Sequence, residues 1–217
     1  MNGISGTAEI EEAGEGVSAG GRGTIVLLAV AAAALVLANA WRYAPYVQDD
    51  SYISLRYARN LVEGHGLVFN PGERVEGYTN LLYVLFSAVF IRLGLDPILG
   101  LKVLGVAAAL ATLVLVGRLE RRVEGGARFS LPLSVLLLAP LEAFVYWTFC
   151  PLETALYALL LLTGVLALLA RRRPLAVVLF FLLSLTRPEG PFPFAVATLG
   201  VFLVEAKAEG MRSALRR

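Results

Sequence analysis

The feature that most constrains this chain is a succession of apolar runs, at residues 24–41, 98–117, 129–148 and 152–170. Each is long enough to cross a bilayer as a helix, since roughly 20 residues at a 1.5 Å rise span about 30 Å of hydrocarbon. Backbone groups find no water at that depth, so such runs become helices rather than irregular chain. Two shorter runs follow, at 175–185 and 192–204, joined by Thr186-Arg187-Pro188-Glu189-Gly190. They read as tilted spans or as a re-entrant hairpin. Hydrophobic residues make up 58% of the chain and mean hydropathy is +0.72, beyond the usual range of soluble domains. The expected fold class is an all-α integral membrane protein with about six transmembrane helices.

One long polar interval interrupts this pattern, at residues 48–80, and it opens with the adjacent carboxylates Asp49 and Asp50. Acidic residues at a membrane edge are costly unless paired or at work. Asp50 or Ser51 can cap a helix running to Glu63, with Ile53, Tyr57 and Leu61 as its apolar stripe. Arg56, Arg59 and Glu63 lie off that stripe, and Arg59 and Glu63 are spaced for an i,i+4 pair. Gly64 and Gly66 stop the helix, His65 between them reads as a turn residue, and Asn70-Pro71-Gly72-Glu73 suits a type II turn. Arg74, Glu76 and Tyr78 form a second polar cluster. The run at 81–93, about 13 residues, is short for a span and is expected to lie in the interface. The outer loop 42–97 therefore holds juxtamembrane helices.

Composition excludes several classes. A net charge of +2, with no basic stretch interleaved with aromatics, gives no footing for a nucleic-acid partner. The single cysteine, Cys150, rules out an intrachain disulfide and reads as a small apolar filler near a helix end. One histidine rules out a multi-histidine metal site, and no metal ligands or cofactor are assigned; dependence on a divalent metal stays open. No glycine-rich phosphate loop is present, which argues against a nucleotide donor. Residues 1–23, rich in Gly, Ser and Glu, read as a disordered tail, and 205–217 as a basic one.

Placing 81–93 in the interface puts the basic clusters at 118–128, 171–173 and 207–217 on one side, as the positive-inside rule prefers. Both termini are then cytoplasmic. The loop, Glu153 and the Arg187-Pro188-Glu189 turn share the outer side. Asp49, Asp50, Glu76, Glu153 and Arg187 converge there. A carboxylate can take a proton from an attacking hydroxyl, and an arginine can hold a phosphate leaving group.

The DDSYISLRYARNLVEGHGLVFNPGERVEGYTN block at 49–80, with PLETALY at 151–157 and TRPEG at 186–190, resembles the membrane type-C glycosyltransferases. The likeness covers roughly 41–194 and is nearest to the bacterial arabinofuranosyl- and mannosyltransferase branch. It implies transfer of a sugar from a polyprenyl-phosphate carrier to a hydroxyl of a cell-envelope glycan or lipid, on the outer face of the cell membrane. By that likeness Asp49 is the general base and Asp50 its positioning neighbour. Tyr78 belongs to the substrate-binding set; Glu76 and Glu153 orient hydroxyls; Arg187, with Glu189 beside it, and Arg56 meet the carrier phosphate. Family members usually carry further spans and often a soluble C-terminal domain, so a partner chain supplying the missing spans is one expectation. A non-catalytic accessory subunit is the alternative. A small transporter ranks below it, because no repeat relates the two halves.

Overall fold

The computed structural model of the chain describes residues 19–123 and 133–214, and these are helical throughout apart from turns and loops. In chain order the helices are α1 (Ala19–Tyr43), α2 (Asp49–Val62), α3 (Leu81–Arg92), α4 (Pro97–Val123) and α5 (Leu133–Leu138). Then come α6 (Glu142–Phe149), α7 (Thr154–Leu169), α8 (Arg173–Thr186) and α9 (Pro191–Ala214). The tail expected over 1–23 lies outside the described residues as far as 18, and residues 19–23 belong to α1. The expected 205–217 tail is helical to 214, as the end of α9. Residues 124–128 of the first basic cluster lie outside the described residues.

Local sequence accounts for the polar interval. Helix α2 starts earlier than expected: Gln48 is the N-cap, with no side-chain capping bond. Asp50 and Ser51 lie in the first turn rather than capping it, where the negative charge of the aspartates suits the helix dipole. It ends in a Schellman arrangement: Gly64 takes φ +86°, and the His65 N–H donates to the Asn60 carbonyl at 2.9 Å. The turn at Asn70 forms as expected, with Gly72 at φ +93° and the Glu73 N–H on the Asn70 carbonyl at 3.1 Å. The Arg59–Glu63 pair does not form; the Glu63 carboxylate lies 3.6 Å from His65 Nδ1 instead. His65 sits in the turn, half-exposed.

The largest core cluster joins α3, α4, α7 and α8 through Tyr83, Leu101, Leu156, Leu160, Phe180 and Leu183. Helix α2 packs on the other side of α3, with Tyr57 and Ala58 against Val84 and Ala88. Helix α3 is thus held between α2 and the bundle. Its 12 residues rise about 18 Å, too little to cross a bilayer. A separate cluster of Ala32, Val36, Leu113 and Val135 ties α1 and α5 to α4.

One expectation is corrected. The run at 129–148 is not a single helix, because α5 ends before Ala139-Pro140 and α6 starts at Glu142. Proline has no N–H to give and disfavours helical geometry in the residue before it, so the ladder breaks there. Helix α6 then meets α7 at a bend of 108°. Among the described residues, one helix, Pro97–Glu120 within α4, is by itself long and apolar enough to cross a membrane, and α6 with α7 passes only as a bent pair.

Candidate functional site

The bend between α6 and α7 is where the polar interval docks. The buried Ser51 hydroxyl donates to the Pro151 carbonyl at 3.2 Å, and the Cys150 thiol donates to Gln48 Oε1 at 3.3 Å. Burial pushes the Cys150 thiol up from its ordinary pKa, so it stays protonated and serves as this donor. These two contacts, across a hundred residues of sequence, set the start of α2 against the 150–153 turn.

Behind them runs a chain of hydrogen bonds. The Ser54 hydroxyl donates to Asn80 Oδ1 at 2.9 Å, and Asn80 Nδ2 donates to Glu153 Oε2 at 3.0 Å. Donor on one side and acceptor on the other fix the orientation of the Asn80 amide. The other oxygen of Glu153 accepts from Arg187 Nη1 at 3.1 Å. Arg187 then grips Glu189 with two further nitrogens, at 3.3 and 3.2 Å. Glu153, Asn80 and Ser54 are buried, whereas Glu189 is exposed. The hydrogen bond from Arg187 holds the Glu189 carboxyl below its usual value, and the same bond raises the Arg187 guanidinium.

This chain forms one wall of a cleft of about 480 Å³, lined among others by Asp50, Tyr78, Asn80, Trp147, Glu153 and Arg187. Asp50 has no hydrogen bond to its carboxylate among the described residues, so an incoming group can approach it. Tyr57, buried behind the 77–79 stretch of the lining, holds that stretch in place: its hydroxyl donates to the Val75 carbonyl and accepts from the Gly77 N–H, both at 2.8 Å. Tyr78 meets the Tyr57 ring edge to face at 4.8 Å, and desolvation, then the charge of Glu76, raises its phenol. Tyr83, buried under the site in the core, keeps its proton because burial disfavours the phenolate.

Four of the residues named from sequence therefore line one cleft: Asp50, Tyr78, Glu153 and Arg187. Asp49 is exposed and not among the lining residues; its Oδ1 accepts the Asp50 N–H at 3.1 Å. Glu189 stands outside the lining, held to Arg187. Glu76 borders a neighbouring depression of about 400 Å³ with His65 and Arg74, and Tyr78 belongs to both. Arg56 is not brought to the cleft. At 3.6 residues per turn it is turned well away from Asp50 and Ser54 around α2, and its Nε donates to the Phe69 carbonyl at 3.0 Å. Ser54, Asn80 and Trp147 were not singled out from sequence. Ser54 lies four residues after Asp50, one helical turn, which is the signal that could have found it.

Among the described residues no three His, Cys, Asp or Glu side chains gather closely enough to hold a metal ion. The cleft instead combines a free carboxylate, a guanidinium held between two acids, and two aromatic rings. Rings of that kind offer apolar faces to a cyclic substrate while the polar groups fix its orientation.

A helical protein with a charged, aromatic-walled cleft beside an apolar bundle is the class that these features define. Two curated relatives make the comparison more particular. The chain is similar to the terminal β-(1→2)-arabinofuranosyltransferase of Corynebacterium glutamicum, 53% identical over 38 residues, which is 18% of this chain and 6% of that protein. It is also similar to the terminal β-(1→2)-arabinofuranosyltransferase of Mycobacterium tuberculosis, 52% identical over 44 residues, 18% of this chain and 7% of that protein. The matched stretches thus cover only a small part of those relatives. No family model matches the chain, and no solved structure matches it.

Proposed function

We propose that this chain carries the active cleft of a membrane glycosyltransferase. In this reading the enzyme moves a sugar from a polyprenyl-phosphate carrier to a hydroxyl acceptor of the cell envelope. The observation that carries the reading is that Asp50, with an unencumbered carboxylate, and Arg187 line one cleft together with Trp147 and Tyr78. The short similarity to two arabinofuranosyltransferases supports it. Asp50, rather than Asp49, is the general base, taking the proton from the acceptor hydroxyl as it attacks the anomeric carbon. Asp49 acts through its hydrogen bond to the Asp50 backbone. The carrier phosphate leaves as the glycosidic bond forms, and Arg187 stabilises its growing charge. Glu153 fixes Arg187 from behind, and Asn80 fixes Glu153.

The membrane arrangement belongs to the same proposal. About six segments insert: α1, α4, the broken α5–α6 path, α7, and α8 and α9 as tilted spans, with α6 and α7 meeting at the 108° bend on the outer side. The cleft then faces the outer side and both termini the cytoplasm. In support, Arg171 and Arg173 meet Glu205 at the opposite end of α8 from Arg187. Single cysteines in place of Glu73 and Arg172 are expected to label from opposite sides of sealed membranes. Labelling from one side refutes the arrangement.

The enzyme reading is tested by single-turnover transfer from a polyprenyl-phospho-sugar, with a full-length relative as positive control. Asp50→Asn is expected to slow transfer on the order of 10²–10⁴-fold with carrier binding nearly intact. Asp49→Asn is expected to do less. Full activity of Asp50→Asn removes it as the base. An inactive parent chain beside an active relative makes this an accessory subunit.

A further inference from the structure

A second depression, of about 340 Å³, lies on the face of α2 turned away from the cleft, between α2, the end of α3 and the start of α4. Its lining includes Tyr52, Arg56, Arg59, Ile91, Asp96 and Ile98. Tyr52, Arg56 and Arg59 lie roughly opposite Asp50 and Ser54 around the helix, so this is a separate site. We propose that it binds the phosphate of a glycerophospholipid headgroup from the surrounding bilayer.

Three observations carry this. First, the two arginines come on successive turns and line one pocket. Arg56 uses Nε on the Phe69 carbonyl, which anchors it and leaves its terminal nitrogens without a partner among the described residues. The Arg59 side chain makes no ion pair or hydrogen bond among the described residues. Planar forks of this kind fit the oxygens of a phosphate diester. Second, the depth is right. Pro97 and Ile98, which floor the pocket, begin the one helix long and apolar enough to cross a membrane. The arginines therefore stand at headgroup level, beside the amphipathic ring of Tyr52. Third, an apolar track leads away from the pocket. Leu99 and Val103 are exposed one turn apart along α4, and Leu95 is exposed just before the helix begins, an apolar surface that an acyl chain can follow.

Asp96 refines the chemistry. Its Oδ1 caps α4, accepting the Ile98 and Leu99 N–H groups at 2.8 and 3.3 Å. The helix start is thereby occupied, and the phosphate is left to the arginines. The remaining carboxylate oxygen accepts a hydroxyl of the headgroup, as the glycerol of phosphatidylglycerol provides. Bound there, the lipid clamps α2 to α4 and holds the back of the helix whose front bears Asp50.

The proposal rests on α4 being a span, and the experiment separates the two. The full chain in detergent is titrated with phosphatidylglycerol and examined by native mass spectrometry. The parent protein is expected to retain one lipid molecule per chain. Arg59→Gln, which removes no side-chain hydrogen bond or ion pair among the described residues, is expected to weaken retention about tenfold, the worth of a charge-assisted hydrogen bond. Arg56→Gln with Arg59→Gln should abolish it, and Arg74→Gln should change nothing. Parental retention by Arg59→Gln overturns the site, and displacement of the lipid by equal inorganic phosphate overturns the lipid assignment. A chain that stays in the aqueous phase without detergent overturns the span, whereas one that needs micelles but retains no lipid overturns only this proposal.

Discussion

At one end of the α7–α8–α9 layer one arginine lies between two glutamates; at the other, one glutamate lies between two arginines. The residue types are the same, yet the settings differ. Glu153 exposes 9% of its side chain and is tied on its second oxygen to Asn80, while Glu205 exposes 27% and its arginines over three quarters. A buried carboxylate with every oxygen engaged fixes geometry, whereas an exposed pair in water contributes little. The cleft end also has a carboxylate in excess, and the far end a guanidinium. The difference separates a place built to orient a reacting group from one that holds two helix ends together.

The sharpest way to break this contrast is to remove the central glutamate at each end. Glu153→Ala strands the Asn80 amide and one of the three Arg187 nitrogens, and is expected to cost about 3 kcal/mol in unfolding in detergent. Glu205→Ala is expected to cost less than about 1 kcal/mol. Equal losses would show that burial does not distinguish the two ends.

Next in size is a backbone comparison along α9. A Cβ on Gly190, at its cleft end, would fall 2.5 Å from the Ser184 Cα, a backbone atom that cannot swing aside. Gly190→Ala is expected to destabilise by about 2 kcal/mol. Gly200, further along α9, has nothing within 4 Å, so Gly200→Ala should be neutral or stabilise by up to ~1 kcal/mol through helix propensity. Thermal midpoints of the two variants measure the contrast.

The smallest expected effect is with pH. Arg187 holds the folded Glu189 carboxyl below its ordinary 4.5, so this group's contribution is complete above that value. It fades only as pH falls through the lower, folded value. Stability should therefore be insensitive to this pair from pH 7 down to about 5, then decline, and Glu189→Gln should remove that part of the decline. A loss that begins near neutrality would assign the titration elsewhere.

The elements that could be read from sequence were those with local causes. Gly64 and the Asn70–Glu73 turn each announce a backbone event within a few residues, and each occurs; the paired aspartates mark the start of α2 but do not cap it. The break inside 129–148 had its signal in Pro140, but hydropathy ran on across it and concealed the bend. Arg56 was joined to Arg187 at the carrier phosphate by the family likeness, although its place on α2 turns it away from Asp50 and Ser54. Asn80 could not have been found locally, since its partners Ser54 and Glu153 lie 26 and 73 residues away. Glu153 and Arg187 were expected on one side of the protein, and they meet at 3.1 Å.

Cys150 has a practical consequence for such experiments. Thiol reagents attack the thiolate, and here the one native sulfur is buried, keeps its proton and is turned onto Gln48. The native chain is therefore its own unreactive background. A cysteine introduced at the rim can report by maleimide labelling without first removing Cys150, and modification of Cys150 itself would signal that α2 has left the 150–153 turn.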